Sequence, residues 1–286
     1  MGQKRRIFIS TGEVSGDLQG AMLVEALFRQ AKSIDLHLEV LALGGDRMAA
    51  AAQRCWGIRA GFGSIGVVES LPFLLPTLRL QQKVRQELQK RPPDLVVFID
   101  YLGPNLGIGQ FVRAKLPTVP TVYYITPQEW VWSINPRNTQ RIIEASDRLL
   151  AIFPGEASYY QKRGASVTWV GHPLVDWVQT APTREQARSQ LGIPDEQTAI
   201  ALLPASRQQE LKYLLPVIFE TAKRLQAQIP AVHFWIPLSL EALRSPIEQA
   251  IREYELQTTI VADSRSVIAA ADFAIAKSGT ANLEVA

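Results

Sequence analysis

Four short stretches carry the side chains able to do chemistry, and each follows an apolar run. The first is Ser10-Thr11-Gly12-Glu13-Val14-Ser15-Gly16-Asp17. Glycine lets a backbone come close to a ligand, and the free N–H groups at a helix start attract anions or hydroxyls. A helix capped by Ser15 or Asp17 accounts for part of the stretch but gives Glu13 no role. The second is Asp100-Tyr101-Leu102-Gly103-Pro104-Asn105, and the third is Thr126-Pro127-Gln128-Glu129-Trp130-Val131-Trp132. The fourth pairs Leu203-Pro204-Ala205-Ser206-Arg207 with the run from Lys277 through Ser278, Gly279 and Thr280 to Glu284.

That last pair suggests a nucleoside diphosphate site. Ser206, Ser278 and Thr280 stand at strand-to-helix turns, where the helix dipole and free N–H groups welcome phosphate. Arg207 has the forked donors that neutralise a pyrophosphate, and Glu284, one turn into a helix, suits the two hydroxyls of a ribose. The plainer alternative is that the hydroxyls only cap helices. There is no Walker lysine and no G-x-G-x-x-G, which argues against ATPase and dinucleotide chemistry. Trp130 and Trp132 read as packing residues before sugar platforms. His172, beside Pro173, reads as a hinge or cleft residue or as a packed histidine.

The elements that must position these residues alternate. Residues 6–9, 38–43, 94–100, 119–125, 148–153 and 167–170 read as apolar strands. Helical runs lie at 17–31, 78–90, 105–115, 137–145 and 155–163. Continuous apolar strands separated by helices predict a parallel sheet covered on both faces. Gly171-His172-Pro173 breaks the pattern, with Thr183 as the next N-cap. Strands at 199–203, 233–237, 259–262 and 273–276 form a second series, and Pro216 is expected near a helix start. The reading is two doubly wound α/β domains, at 1–170 and 171–286. The second has few strands for its type, so the chain reads as a fragment.

Composition narrows the function classes. The 286 residues are 47% hydrophobic and 20% charged, with a net charge of +3 and pI near 9.0. No Lys/Arg block is longer than Lys4-Arg5-Arg6, which gives nucleic-acid binding little support and leaves an anionic membrane surface as a partner. Cys55 is the single cysteine, and His37, His172 and His233 lack ligand spacing, so no metal site is expected. The first apolar run is too short for a signal peptide, and none reaches the roughly 18 residues of a membrane span. The expected compartment is the cytoplasm. A Pro-interrupted apolar patch at 64–80 reads as core, as a membrane-surface contact or as an acyl-chain holder.

Taken together the motifs resemble the lipid-A-disaccharide synthase family. Its G-E-x-S-G-D turn matches Gly12, Glu13, Ser15, Gly16 and Asp17, and its P-x-x-W-x-W stretch matches Pro127, Trp130 and Trp132. Its G-H-P junction matches Gly171-His172-Pro173. The L-P-G-S-R loop appears as Leu203-Pro204-Ala205-Ser206-Arg207, and S-G-T-A-x-L-E as residues 278–284. The resemblance implies a GT-B hexosyltransferase of two Rossmann-like domains, the second incomplete here, with an active site in the cleft between them. It implies an inverting, metal-independent transfer of 2,3-diacylglucosamine from UDP to the 6-hydroxyl of 2,3-diacylglucosamine 1-phosphate. UDP-diacylglucosamine and the lipid-linked acceptor are then its partners, met at the inner face of the cytoplasmic membrane, with no cofactor besides the donor.

The chain departs from the family pattern in three places. In the post-strand motif I-D-x-P-D-F-N the second acid is the favoured base, and Gly103 occupies its place. Ala205 replaces the loop glycine, and the family continues for roughly another hundred residues, about a domain's worth. Glu13, Asp100 and Glu129 remain as candidate catalytic acids, Asp100 taking the base role if the loop shifts. Ser206, Arg207, Ser278, Gly279, Thr280 and Glu284 are the expected UDP contacts. Two other functions compete: a non-catalytic relative that binds UDP or lipid, and a UDP-sugar 2-epimerase.

Overall fold

A computed structural model describes residues 4–12, 14–57, 67–133, 135–205 and 208–285. The chain divides into two compact units, Met1–Pro173 and Leu174–Ala286. The first unit runs β1 (Lys4–Ser10), α1 (Val14–Ser33), β2 (His37–Gly44), α2 (Asp46–Ala51), β3 (Arg54–Gly57), α3 (Val67–Lys90) and β4 (Leu95–Ile99). It continues through α4 (Leu102–Lys115), β5 (Thr121–Tyr124), α5 (Arg137–Glu144), β6 (Arg148–Ala151), α6 (Pro154–Gln161) and β7 (Val167–Trp169). Its strands form one parallel sheet in the order β3-β2-β1-β4-β5-β6-β7.

Strand periodicity explains why these runs are apolar throughout. Phe8, Leu41, Val96 and Phe98 face one way, onto Val84 and Leu88 of α3 and Leu106, Ile108 and Val112 of α4. Their neighbours Ile9, Val40, Ala42, Val97 and Ile99 face the other way, onto Ala21 and Val24 of α1. A strand buried on both faces has no room for a polar alternation.

The second unit runs α7 (Leu174–Gln179), α8 (Arg184–Leu191), β8 (Thr198–Leu203), α9 (Gln208–Gln228), β9 (Val232–Pro237) and α10 (Arg244–Tyr254). It continues with β10 (Thr258–Val261), α11 (Ser264–Ala270), β11 (Phe273–Ala276) and α12 (Thr280–Val285). Its parallel order is β10-β9-β8-β11. Ile200, Leu202, Phe234 and Ile236 pack on α9 and α10, while Ala199, Ala201 and Trp235 pack on α8 and α11. Thr183 caps α8 as expected: its hydroxyl accepts from the Gln186 N–H at 3.3 Å, and the Gln186 side chain accepts from the Thr183 N–H at 3.0 Å.

Several boundaries differ from expectation. The helix placed at 17–31 begins at Val14, so Ser15 and Asp17 lie inside its first turn and do not cap it. Asp17 caps another helix instead: its carboxylate accepts from the N–H groups of Gly45, Arg47 and Met48 at 2.8, 3.0 and 3.0 Å, holding the start of α2. The prolines also mislead. Helix α3 begins at Val67 and runs through Pro72 and Pro76, and α9 runs through Pro216. A proline inside a helix costs about 3 kcal/mol. In α9 the buried stripe of Leu211, Leu215, Ile218, Phe219 and Ala222 outweighs that cost, at roughly 1.5–3 kcal/mol per large side chain. Pro216 itself is exposed, so the carbonyl left without a donor lies where water can serve it.

Three aspartates pin the amino ends of strands. Asp94 accepts from the Arg6 N–H at 2.7 Å, Asp147 from the Thr121 N–H at 2.7 Å, and Asp272 from the Ala199 N–H at 2.8 Å. The Arg6 backbone and the Arg5 guanidinium hold the Asp94 carboxyl below its ordinary range. Burial pushes Asp147 and Asp272 up, but backbone N–H groups with Arg113 and Arg184 outweigh it and leave both lowered. A carboxyl with a lower pKa folded than unfolded stabilises the fold above the ordinary carboxylate range, near 4. That stability is lost as pH falls through the lowered folded values. Urea midpoints at pH 7 and pH 3 are expected to differ clearly in the parent chain. The difference shrinks in Asp272→Asn, which starts lower at pH 7.

Candidate functional site

In a parallel sheet, ligands bind beyond the carboxyl ends of the strands where the strand order reverses. The reversal falls between β1 and β4 in the first unit and between β8 and β11 in the second. All but the third of the four chemical stretches sit at these two points.

At the first point Asn105 is fully buried and ties the two strand ends together. Its amide donates to the carbonyls of Asp100, Ile99 and Ser10 at 2.7, 3.2 and 3.3 Å, and its oxygen accepts from the Ser10 hydroxyl at 2.7 Å. The Tyr123 hydroxyl donates to the Asp100 carbonyl at 2.7 Å. Burial first, and the Asp100 charge second, push that phenol well above its ordinary pKa, so it stays a donor. These bonds hold Asp100 at φ +44° and Tyr101 at φ +52°. Two successive non-glycine residues in the left-handed region cost about 1–2 kcal/mol each. Such strain persists only where the surroundings over-determine it, and it gathers at functional sites.

The turn brings the first two stretches together. A Cβ placed on Gly12 would lie 2.1 Å from Cε1 of the Tyr101 ring, so the ring lies against the bare backbone of Gly12. Glu13, next in sequence, lies outside the described residues. Gly103 faces open space on the first turn of α4, with no atom within 4 Å of an added Cβ. Replacing Asn105 by alanine removes its four hydrogen bonds and strands several buried carbonyls. The expected loss is about 2–4 kcal/mol of stability, read from urea unfolding.

The third stretch ends β5. Glu129 is buried, accepting from the Asn138 amide at 2.9 Å and from the Ser133 hydroxyl. Both carboxylate oxygens thus serve the loop between β5 and α5. Its neighbour Glu156, which the sequence reading missed, is almost fully buried. It accepts from the Thr126 N–H and hydroxyl at 3.0 and 2.5 Å and from the Ile152 N–H at 2.8 Å. The Pro154-Gly155-Glu156 helix start was its signal. Trp130 packs against Phe153 with centroids 5.8 Å apart, and His172 lies 5.2 Å beyond on the same ring. Burial holds the His172 imidazole below its ordinary pKa. Trp130 is therefore a packing residue. Trp132 is not: it is 74% exposed.

In the second unit the turns after β8 and β11 are neighbours. Ala276 pairs with Leu203, and the Lys277 N–H donates to the Leu203 carbonyl at 3.1 Å. Ser278 and Gly279 are exposed, and Gly279 takes φ +123°, which a side chain would resist. Helix α12 starts at Thr280, whose side chain lies outside the description, and Glu284 lies one turn along it, half-buried. Ser206 and Arg207 lie outside the described residues. The sequence reading passed over the pair that spans these turns, Lys277 Nζ on Glu210 Oε1 at 2.8 Å. Among the described residues no three His, Cys, Asp or Glu side chains gather as a metal site, and no helix is long and apolar enough to cross a membrane.

A family model described as lipid-A-disaccharide synthetase matches residues 7–286. The lipid-A-disaccharide synthase of Gloeothece citriformis is 56% identical over 283 residues, covering 98% of this chain and 73% of that protein. The one from Synechocystis is 52% identical, covering 98% and 72%. Among solved structures, the UDP-GlcNAc 2-epimerase of Neisseria meningitidis bound to UDP-GlcNAc aligns at a TM-score of 0.65 and 12% identity, over 97% of this chain and 78% of that one. The S. aureus MnaA–UDP structure aligns at 0.67 and 15%, over 98% and 76%. At such identities these two show the fold alone, a GT-B-like pair of α/β units. Agreement in sequence from β1 to α12 is of another order, and by it the chain belongs to the lipid-A-disaccharide synthetase family.

Proposed function

We infer that the chain is the glycosyltransferase that moves 2,3-diacylglucosamine from its UDP donor to the 6-hydroxyl of 2,3-diacylglucosamine 1-phosphate, giving lipid A disaccharide and UDP. The observation that carries this is the family match along residues 7–286, joined by relatives above half identity. In this reading the turns after β8 and β11 take the UDP, with Ser206, Arg207, Ser278, Gly279, Thr280 and Glu284 around it. No cofactor besides the donor takes part. The acceptor oxygen forms a bond to the anomeric carbon, the bond from that carbon to UDP breaks, and a base takes the hydroxyl proton.

Asp100 is the base in this proposal. Gly103 leaves the family's usual acid position without a carboxylate, and Glu129 has both oxygens engaged in its own loop. Asp100 stands at the strand-order reversal in a strained turn that the surroundings hold, and Glu13, next to Gly12 in sequence, is the second candidate acid. Acylated substrates place the reaction at the cytoplasmic face of a membrane. The segment 64–80 is the proposed contact there, although residues 64–66 and the side chains through 76 lie outside the description.

Gly103 favours a second reading, a relative that binds UDP or lipid without turnover. Incubation with both lipid substrates separates the two. Disaccharide 1-phosphate and UDP are expected from the parent chain. Saturable UDP binding without disaccharide, together with activity gained in Gly103→Asp, would establish the second reading. The open space around Gly103 lets that aspartate enter without displacing a neighbour.

A further inference from the structure

Lys277 follows β11 directly, and Glu210 lies in the first turn of α9, the helix that follows β8. Their charged atoms are 2.8 Å apart, and the side chains are only 14% and 10% exposed. Enclosing both charges removes their hydration, so such a pair adds little over two apolar side chains of the same size. Its place is informative. It spans β8 and β11, the two strands between which the order reverses, where this class of sheet binds ligands. Arg224 with Glu220, by contrast, lies along a helix face in water, and the enclosed pair of Arg188 with Asp272 braces the opposite, amino end of the strands. The Glu210 carboxylate sits where the amino end of a long helix favours an anion. Lysine carries a compact charge on a flexible stem, able to leave one anion for another nearby.

We propose that Lys277 is a diphosphate-binding residue and that Glu210 holds its ammonium in place until a nucleoside diphosphate arrives. On binding, Nζ turns from the carboxylate to a phosphate oxygen, and no covalent bond changes. The proposal rests on the reading that the turns after β8 and β11 hold UDP.

Calorimetric titration of the full chain with UDP, and with uridine as a probe lacking phosphate, tests it. The parent chain binds UDP. Lys277→Met weakens UDP by about tenfold or more and leaves uridine unchanged, while Lys277→Arg keeps most of the affinity. Glu210→Gln, which frees the ammonium, tightens UDP several-fold. A merely structural brace gives a different pattern, in which both substitutions weaken UDP and uridine together and in step with the melting temperature. That pattern overturns the proposal, as does unchanged UDP affinity in a folded Lys277→Met. A parent chain that binds no UDP overturns the underlying reading as well, which separates the two failures.

Discussion

Asp100→Asn is expected to lower turnover by about 10²- to 10⁴-fold, the usual contribution of a positioned base, while UDP affinity stays at the parent value. Asparagine keeps the shape of the side chain and tolerates the left-handed backbone better than most residues. The carbonyl of residue 100, which accepts from Asn105 and Tyr123, belongs to the main chain and survives the change. Melting temperature should therefore move little. What changes is the ability to take a proton from the acceptor hydroxyl. Two measurements decide the matter: disaccharide formation under saturating lipid substrates, and UDP binding in the same preparation. A variant that turns over like the parent removes Asp100 from the mechanism and leaves Glu13 as the next acid. Parallel loss of turnover and UDP binding would point instead to a disturbed fold.

How much of this was readable beforehand depends on how local each cause is. Parallel strands buried on both faces leave continuous apolar runs, so β4 and β8 were visible as soon as their flanking turns were. Thr183 announces α8 because capping box chemistry is contained in four consecutive residues. Pro216 misled because a local penalty of about 3 kcal/mol is overruled by burial that only the tertiary structure supplies, and α3 likewise runs through Pro72 and Pro76. Asp17 misled in another way: it does cap a helix, but the helix is α2, which follows the neighbouring strand β2 some thirty residues on. The same distance in sequence hid the site's most telling pairs. Nothing near Gly12 names Tyr101, and nothing near Lys277 names Glu210. The turns that carry the chemistry were legible, and the contacts that tension them were not.

The Gly12–Tyr101 contact yields the other large effect. In Gly12→Ala the new methyl would sit 2.1–2.3 Å from three atoms of the Tyr101 ring, well inside van der Waals contact. Relief requires the ring to swing away, yet Tyr101 shares its left-handed turn with Asp100, and Asn105 grips the main chain there. The expected outcome is that displacing the ring strains this turn and shifts the backbone that presents Asp100. Overpacking of this kind costs about 1–3 kcal/mol, and a displacement near 1 Å at the reacting group costs about 10²-fold in rate. Gly12→Ala should show both losses, in urea unfolding and in disaccharide formation. UDP binding, which belongs to the second unit in this reading, should hold. Gly103→Ala is the control, since its methyl meets no neighbour and, inside a helix, should cost no stability and leave the fold unchanged. The cause is isolated by removing the ring: with Tyr101→Ala in place, adding Gly12→Ala should cost far less than it does alone, a coupling expected of residues in contact. If the two changes simply add, the ring is not what makes glycine necessary, and the turn at Asp100 is set by Asn105 and Tyr123 without help from the first stretch.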